Sequence, residues 1–266
     1  MKVKIYNLLR YVFFYLLALR NRIRYYIFGK NITGKEIPII INNRNRMTFL
    51  KMQIEALRSR GYSNIYILDN NSTYPPLLEY YKKVPAKVVF LGKNLGYDAL
   101  AKIPLYYQVR KSFFVYTDSD VIPIDECPAD FMDYFLNILK ANPTVQKVGF
   151  SLKIDDLPDH FAQKEKVIKW EAQFWKERIA DNFIAPIDTT FALHRPYALL
   201  STIGPYKNIR TSFPYVARHL PWYNDSQQLS EEEQFYIDSV EIGTHWSNQT
   251  QIVKNNRLSQ FLSYLK

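Results

Sequence analysis

Cysteine is nearly absent from this chain. Cys127 stands alone, so no internal disulfide can form and no thiolate cluster can hold zinc, which makes a reducing, cytosolic setting the expectation. Histidine is scarce too: His160, His194, His219 and His245 lack the close spacing of a histidine-based metal site, so any metal must lean on carboxylates and be a hard, oxygen-preferring cation. Glycine numbers only 8 in 266 residues, against 47% hydrophobic and 16% aromatic content, which excludes collagen-like or disordered character and implies one α/β domain with an ample core. Internal repeats and low-complexity tracts are missing. So is a bilayer-spanning run: the uncharged stretch near the N-terminus reaches only from Tyr11 to Leu19, where roughly 20 residues are needed.

Acids are missing from residues 1–35, which hold Lys2, Lys4, Arg10, Arg20, Arg22, Arg24, Lys30 and Lys35. These eight charges account for most of the net +10, so the remaining body is nearly neutral and a nucleic-acid partner is not expected. A secretory signal is disfavoured, because Arg20, Arg22 and Arg24 follow the apolar run and no small-x-small cleavage site is evident. Leu and aromatic residues interleaved with Arg suit an amphipathic helix lying on an anionic membrane surface. The other reading is a helix docked on the domain with its arginines solvated. The expected organisation is a membrane-associating segment, 1–35, peripheral to the inner face of the membrane, followed by a domain, 36–266.

Beyond Gly34–Pro38 the pattern alternates. "IPIIINN" reads as a buried strand, "MTFLKMQIEALRSRG" as a helix capped by Gly61, "NIYILDNN" as a strand and "PPLLEYYKKV" as a helix. "AKVVFLG" is a third strand, "DALAKIPLYYQVRK" a helix, and "SFFVYTDSD" a fourth strand. This βαβαβαβ order implies a mainly parallel sheet that binds ligands beyond the C-terminal ends of its strands, where the polar residues sit. After Pro123 come a helix "ADFMDYFLNILKAN", a strand "KVGFSLKI" and a helix "KEKVIKWEAQFWKERIA". The C-terminal third shows no strong period and reads as substrate-facing loops.

Asp118 and Asp120, in "FFVYTDSDVIPI", end the fourth strand. Two acids at i and i+2 in one crevice repel unless a cation joins them, and Mg²⁺ or Mn²⁺ is held by one or two carboxylates together with substrate phosphates. Two other readings stay open. The pair could be a turn with Asp118 capping the next element. A strand running into D-x-D-x-V also resembles the opening of haloacid dehalogenase-type phosphatases, in which Asp118 would be the nucleophile and "KIDDLPD" the later motif.

Taken together, "IPIIINNRNRMTFL", "IYILDNNST", "LGKNLGYDALAK" and "FVYTDSDV" resemble, in order and spacing, the nucleotide-binding half of GT-A glycosyltransferases, close to the family-two type. The resemblance covers residues 37–121. It implies a Rossmann-like half (36–121) and an acceptor or catalytic half (122–266), a nucleotide-sugar donor, a divalent cation, and a glycan or lipid-linked acceptor. By that likeness Asn45, Arg46 and Asp69 would contact the nucleotide, with Asp69 facing the base, and Asn94 and Gly96 would line the donor pocket. Asp118 would hold the ribose or share the metal, and Asp120 would bind the metal.

The catalytic half carries the likeness less closely. Inverting enzymes of this type place an acid pair at the start of a helix, and "LSEEEQFY" is the candidate, with Ser230 as N-cap, Glu232 as base and Glu231 beside it. The same acids would also suit an ordinary helix dipole. His245 in "GTHWS" resembles the histidine that completes some metal shells. Asp188, His219, Trp222 and Asp225, joined by Trp170 and Glu171, fit an acceptor site in which aromatic faces lie beside carboxylates. A non-catalytic peripheral membrane protein, with the basic arm as its working part, is the third reading.

Overall fold

The computed structural model describes residues 2–24, 26–27, 32–188, 190–198, 200 and 207–239. Among the described residues ten strands form one sheet, in the order β3-β2-β1-β4-β9-β6-β10-β8-β7, with β5 paired to β10 off that path. The four expected strands are β1 (Ile39–Asn43), β2 (Ile65–Asp69), β3 (Lys87–Phe90) and β4 (Phe114–Asp118), all parallel. β9 (Ala192–His194) runs antiparallel between β4 and β6 (Val145–Leu152), which makes β6 parallel to β4. The result is a mixed α/β fold with a mainly parallel central sheet, the architecture implied by the sequence.

Alternation along each strand builds a core on both faces. Ile39, Ile41, Ile67 and Val115 pack with Leu50, Ile54 and Leu57 of α2 (Thr48–Ser59) and with Phe131 and Phe135 of α5 (Phe131–Ala141). Ile40, Leu68, Phe114 and Tyr116 face the other way, against Leu100 and Tyr106. Gly61 ends α2 with φ +84, its N–H bonding to the Arg58 carbonyl, a conformation that favours glycine. α3 (Pro75–Tyr81) begins at a proline, which suits a first helical turn.

Several elements differ from expectation. "DALAKIPLYYQVRK" is not one helix but a 3-10 turn, Ala99–Lys102, followed by α4 (Pro104–Val109), because Pro104 cannot donate to a continuing helix. "KEKVIKWEAQFWKERIA" stops as α6 at Lys164–Glu171 and continues as a 3-10 turn and then β7 (Arg178–Ile179), hairpinned to β8 (Asn182–Ile184). β5 (Val121–Pro123) follows the acid pair directly. The C-terminal third, read as loops, contains β10 (Lys207–His219), which is parallel to β6. Between Thr211 and Val216 the register breaks and the intervening residues bulge out, with the Thr211 hydroxyl donating to the Tyr215 carbonyl at 2.6 Å and Tyr215 stacked on Tyr134 at 3.9 Å. The bulge erases the period that marks a strand.

The basic arm forms α1 (Lys2–Arg24). Leu17 and Asn21 are buried against the body, and the Asn21 amide donates to the Pro143 carbonyl at 2.7 Å. Among the described residues no helix is long and apolar enough to cross a membrane.

Candidate active site

Parallel packing sends the ends of β1, β2, β4, β6 and β10 to one edge of the sheet. Asp118 closes β4, and Asp120 lies two residues on, before β5. A side chain absent from the sequence reading holds this turn: Gln53, fully buried on α2, donates through Nε2 to the carbonyls of Asp118 at 2.9 Å and Val121 at 2.7 Å. Asp120 is itself anchored by the Leu220 N–H, which donates to its carbonyl at 2.9 Å. That bond brings the end of β10 onto the acid turn.

His219, expected at the acceptor site, instead stands beside Asp120, with Nε2 3.6 Å from Oδ1. Burial lowers the His219 pKa, and Asp120 opposes that shift. Asp120 Oδ1 and His219 Nδ1 are both buried without a hydrogen-bond partner. Trp222, also assigned to the acceptor, is 2% exposed and packs in the core with its ring 4.7 Å from that of His219; it is a wall behind the histidine rather than a platform.

α7 (Glu231–Ser239) delivers the three glutamates. Ser230 caps it as expected, its hydroxyl accepting from the Glu233 N–H at 3.1 Å. The helical turn then separates the acids. Glu231 points to solvent. Glu232, read as the base, accepts from the Met47 and Thr48 N–H groups, both at 2.9 Å, and from the Thr48 hydroxyl at 2.8 Å, so its carboxylate caps α2. Glu233 is the acid that turns inward. It is buried, pairs with Arg46 Nη2 at 3.0 Å, and lies within electrostatic reach of Asp120. Burial pushes its pKa up, Arg46 pulls the other way, and Asp120 adds to the rise. Its signal in the sequence was positional: in "SEEE" the third acid is three residues past the cap.

Arg46, expected to contact the nucleotide, is correspondingly engaged within the protein. Its guanidinium is buried, paired to Glu233 and stacked 3.9 Å over Tyr236. Asn45 is spent on the scaffold: Oδ1 accepts from the N–H groups of Thr73 at 2.7 Å and Tyr74 at 3.1 Å, and Nδ2 donates to the Ser239 hydroxyl at 2.9 Å. With φ 53 it is a staple joining the loops after β1 and β2 to α7.

Asp69 ends β2, buried, accepting from the Tyr81 hydroxyl at 3.0 Å and the Ser72 N–H at 3.2 Å. The loop with Asn94 and Gly96 is pinned against these strand ends. Asn94 accepts from the Gly96 N–H at 3.0 Å, the Gly96 carbonyl accepts from the Asn70 amide at 3.0 Å, and Asn70 accepts from the Leu95 N–H at 2.6 Å.

The remaining acceptor residues separate. Glu171 is buried in an ion pair with Arg210 at 2.8 Å, Trp170 is half exposed with its edge to Phe174, and Asp225 caps its own turn by accepting from the Gln227 N–H at 2.8 Å. Asp188 is exposed near Lys147 and Arg210. His245 lies outside the described residues.

Among the described residues no set of three His, Cys, Asp or Glu converges closely enough to hold a metal. The orphaned Asp120 oxygen, two residues from Asp118, nevertheless fits a hard cation that takes most of its shell from water and phosphate. In the phosphatase reading "KIDDLPD" would be catalytic. Here Asp156 accepts from Arg218 at 2.6 Å and from the Tyr223 hydroxyl at 2.5 Å, a structural knot that binds the loop after β6 to the end of β10. β1, β2 and β3, which that reading leaves without a role, share one sheet with β4.

No protein-family model matches this chain, and no curated protein sequence does. Among solved structures it is similar to GalNAc-T7 crystallised with UDP, GalNAc and Mn²⁺, at 15% identity and TM-score 0.35, covering 46% of this chain and 24% of that one. It is also similar to glucosyl-3-phosphoglycerate synthase from Mycobacterium tuberculosis in complex with phosphoglyceric acid, at 16% identity and TM-score 0.36, covering 61% of this chain and 57% of that one. The chain therefore spans less than two thirds of either.

Proposed function

We propose that this chain is a GT-A-type glycosyltransferase that moves a sugar from a nucleotide diphosphate donor, a UDP-sugar in our reading, to a glycan or lipid-linked acceptor with inversion. We place that activity in surface polysaccharide or glycoconjugate synthesis at the inner face of a membrane. The observation that carries the reading is the acid turn Asp118–Asp120, set on the sheet edge where β1 and β2 also end and facing a buried Glu233–Arg46 pair.

In this mechanism the acceptor hydroxyl attacks the anomeric carbon while the bond from that carbon to the diphosphate oxygen breaks, and Glu233 takes the hydroxyl proton. A carboxyl whose pKa is raised by burial is suited to accepting a proton. Arg46 holds that carboxylate in place and stabilises its charge. Asp120, with Asp118, would hold a divalent cation, which would supply charge neutralisation to the departing diphosphate. Asp69 and the loop of Asn94 and Gly96 line the side where the nucleoside would lie.

The test is a panel of nucleoside diphosphate sugars scored for Mn²⁺-dependent thermal stabilisation and for slow donor hydrolysis. A ligand at 100 times its Kd raises stability by about 2.7 kcal/mol, which is a readable shift. Asp120→Ala should abolish the cation-dependent part. Unchanged cation-dependent stabilisation in Asp120→Ala would refute the metal assignment, and phosphate release from simple esters without nucleotide sugar would favour a phosphatase.

A further inference from the structure

α1 has two faces of opposite character. Leu17, Asn21 and Arg24, at i, i+4 and i+7, hold it to the body, with Asn21 on Pro143 and the Arg24 guanidinium 4.4 Å over the Tyr197 ring. Val12, Leu16, Leu19 and Ile23 form the outward stripe, all exposed, against a body whose other large apolar side chains are mostly buried. Beside them Leu16, Leu19, Ile23, Arg20, Arg24 and Tyr197 line an open groove of about 520 Å³.

The charge along this face is of one sign. Arg20 and Arg24 lie within electrostatic reach of each other, and Arg110, stacked on the same Tyr197 ring, adds a third guanidinium whose Nε is buried without a partner. None of the three is ion-paired to a carboxylate among the described residues, and residues 1–35 contain no acid. An apolar stripe edged by arginines that have no carboxylate partner among the described residues complements acyl chains beneath anionic headgroups.

Position in the fold adds the second half of the argument. Pro143 precedes β6 and Arg110 precedes β4, so α1 docks at the N-terminal ends of the parallel strands, whereas Asp118 and Asp120 close the opposite edge. The five extended residues of β4, at ~3.3 Å each, set these two edges about 16 Å apart.

We propose that the outward face of α1 seats the protein on an anionic phospholipid surface, with Leu16, Leu19 and Ile23 in the acyl boundary and Arg20 on lipid phosphates, and that this turns the carboxylate-bearing edge away from the bilayer. The sugar-accepting group would then be met well above the headgroups. Only that last point rests on the catalytic reading; the seating and orientation of the protein do not, and they are tested without turnover.

The experiment is co-sedimentation of the full chain with phosphatidylcholine vesicles and with phosphatidylcholine–phosphatidylglycerol vesicles. The expected result is binding to the anionic vesicles alone, weakened about fivefold by Arg20→Ser, since one surface arginine is worth about that factor. Leu19→Ser with Ile23→Ser touches only exposed positions, should leave the melting temperature unchanged, and should lower partitioning at least tenfold. Equal binding to both vesicle types, no binding to either, or wild-type binding by the Leu19→Ser/Ile23→Ser variant would overturn the proposal. So would a dimer that this variant dissolves, which would assign the face to a second copy. Fluorophores at Tyr26→Cys and Gln227→Cys, with quencher-bearing lipids, read the orientation: quenching at the first alone is expected, and equal quenching would overturn it.

Discussion

The sharpest consequence of the site concerns which glutamate in "SEEE" is the base, and Glu233→Gln against Glu232→Gln decides it. Glu233 and Arg46 form a pair whose side chains are 6% and 5% exposed. Breaking such a pair by deleting one partner costs about 3–5 kcal/mol, but glutamine keeps an Oε1 acceptor for Arg46 Nη2, so ~1–3 kcal/mol is expected. For a chain of this size, at ~2–4 °C per kcal/mol, that is a fall of about 2–12 °C in Tm. Turnover should fall much further, by ~10²–10⁴, because the group that accepts the proton is gone. Glu232→Gln loses only part of a helix cap, ~0.5–2 kcal/mol, and should keep turnover within a few-fold. The assay is sugar transfer or donor hydrolysis at saturating donor, with nucleoside diphosphate binding measured by thermal shift in both variants. If Glu232→Gln lost a hundredfold in kcat while Glu233→Gln stayed near wild type, the argument from burial would fail.

Three further outcomes follow from the packing. Gln53→Leu removes both donors from the acid turn and leaves the buried Val121 carbonyl bare, which should cost ~1–3 kcal/mol by urea unfolding and weaken cation-dependent nucleotide binding. Lys147 is buried and its pKa is pushed down to about 8 by desolvation, against an ordinary 10.5. Between those values the unfolded chain holds more protons, so wild-type stability should rise relative to Lys147→Met as pH climbs from 8 to 10.5, and the variant should be the more stable by up to ~3 kcal/mol at pH 7. A pH-independent difference between the two would contradict it. Gly149→Ala would drive a Cβ into the Phe191 carbonyl oxygen, so the β6–β9 contact must open, at ~1–3 kcal/mol in a thermal melt.

The nucleotide-binding half was legible because its signals are local. Runs such as "IPIIINN" and "NIYILD" can hardly be anything but buried strands, and Gly61 and the proline at the start of α3 mark helix boundaries by backbone chemistry alone. The one misread element of that half was the helix after β3, which Pro104 cut where hydrophobic spacing would have continued it. The second half was not legible, for two separate reasons. A bulge in β10 scrambled the alternation of the longest strand, and β9 is only three residues long, too short to leave a period.

At the site, chemistry was readable by type but not by assignment. Two carboxylates at a strand end announce themselves, as does a capped acidic helix. Whether Arg46 meets the nucleotide or Glu233, whether Glu232 or Glu233 faces the crevice, and whether His219 sits by sugar or by Asp120 depends on contacts between residues 99 or more positions apart.

The sequence alone thus determined the βαβ order, the placement of Asp118 and Asp120 at a strand end, and the concentration of positive charge in the first 35 residues. These follow from nearest-neighbour preferences and the two side-chain periods. Tertiary structure alone decided which acid is buried, because a helix advances 100° per residue and packing fixes which side faces in. It likewise set the basic helix and the acid turn at opposite edges of one sheet, a relation carried by parallel strand direction and not by any residue in either segment.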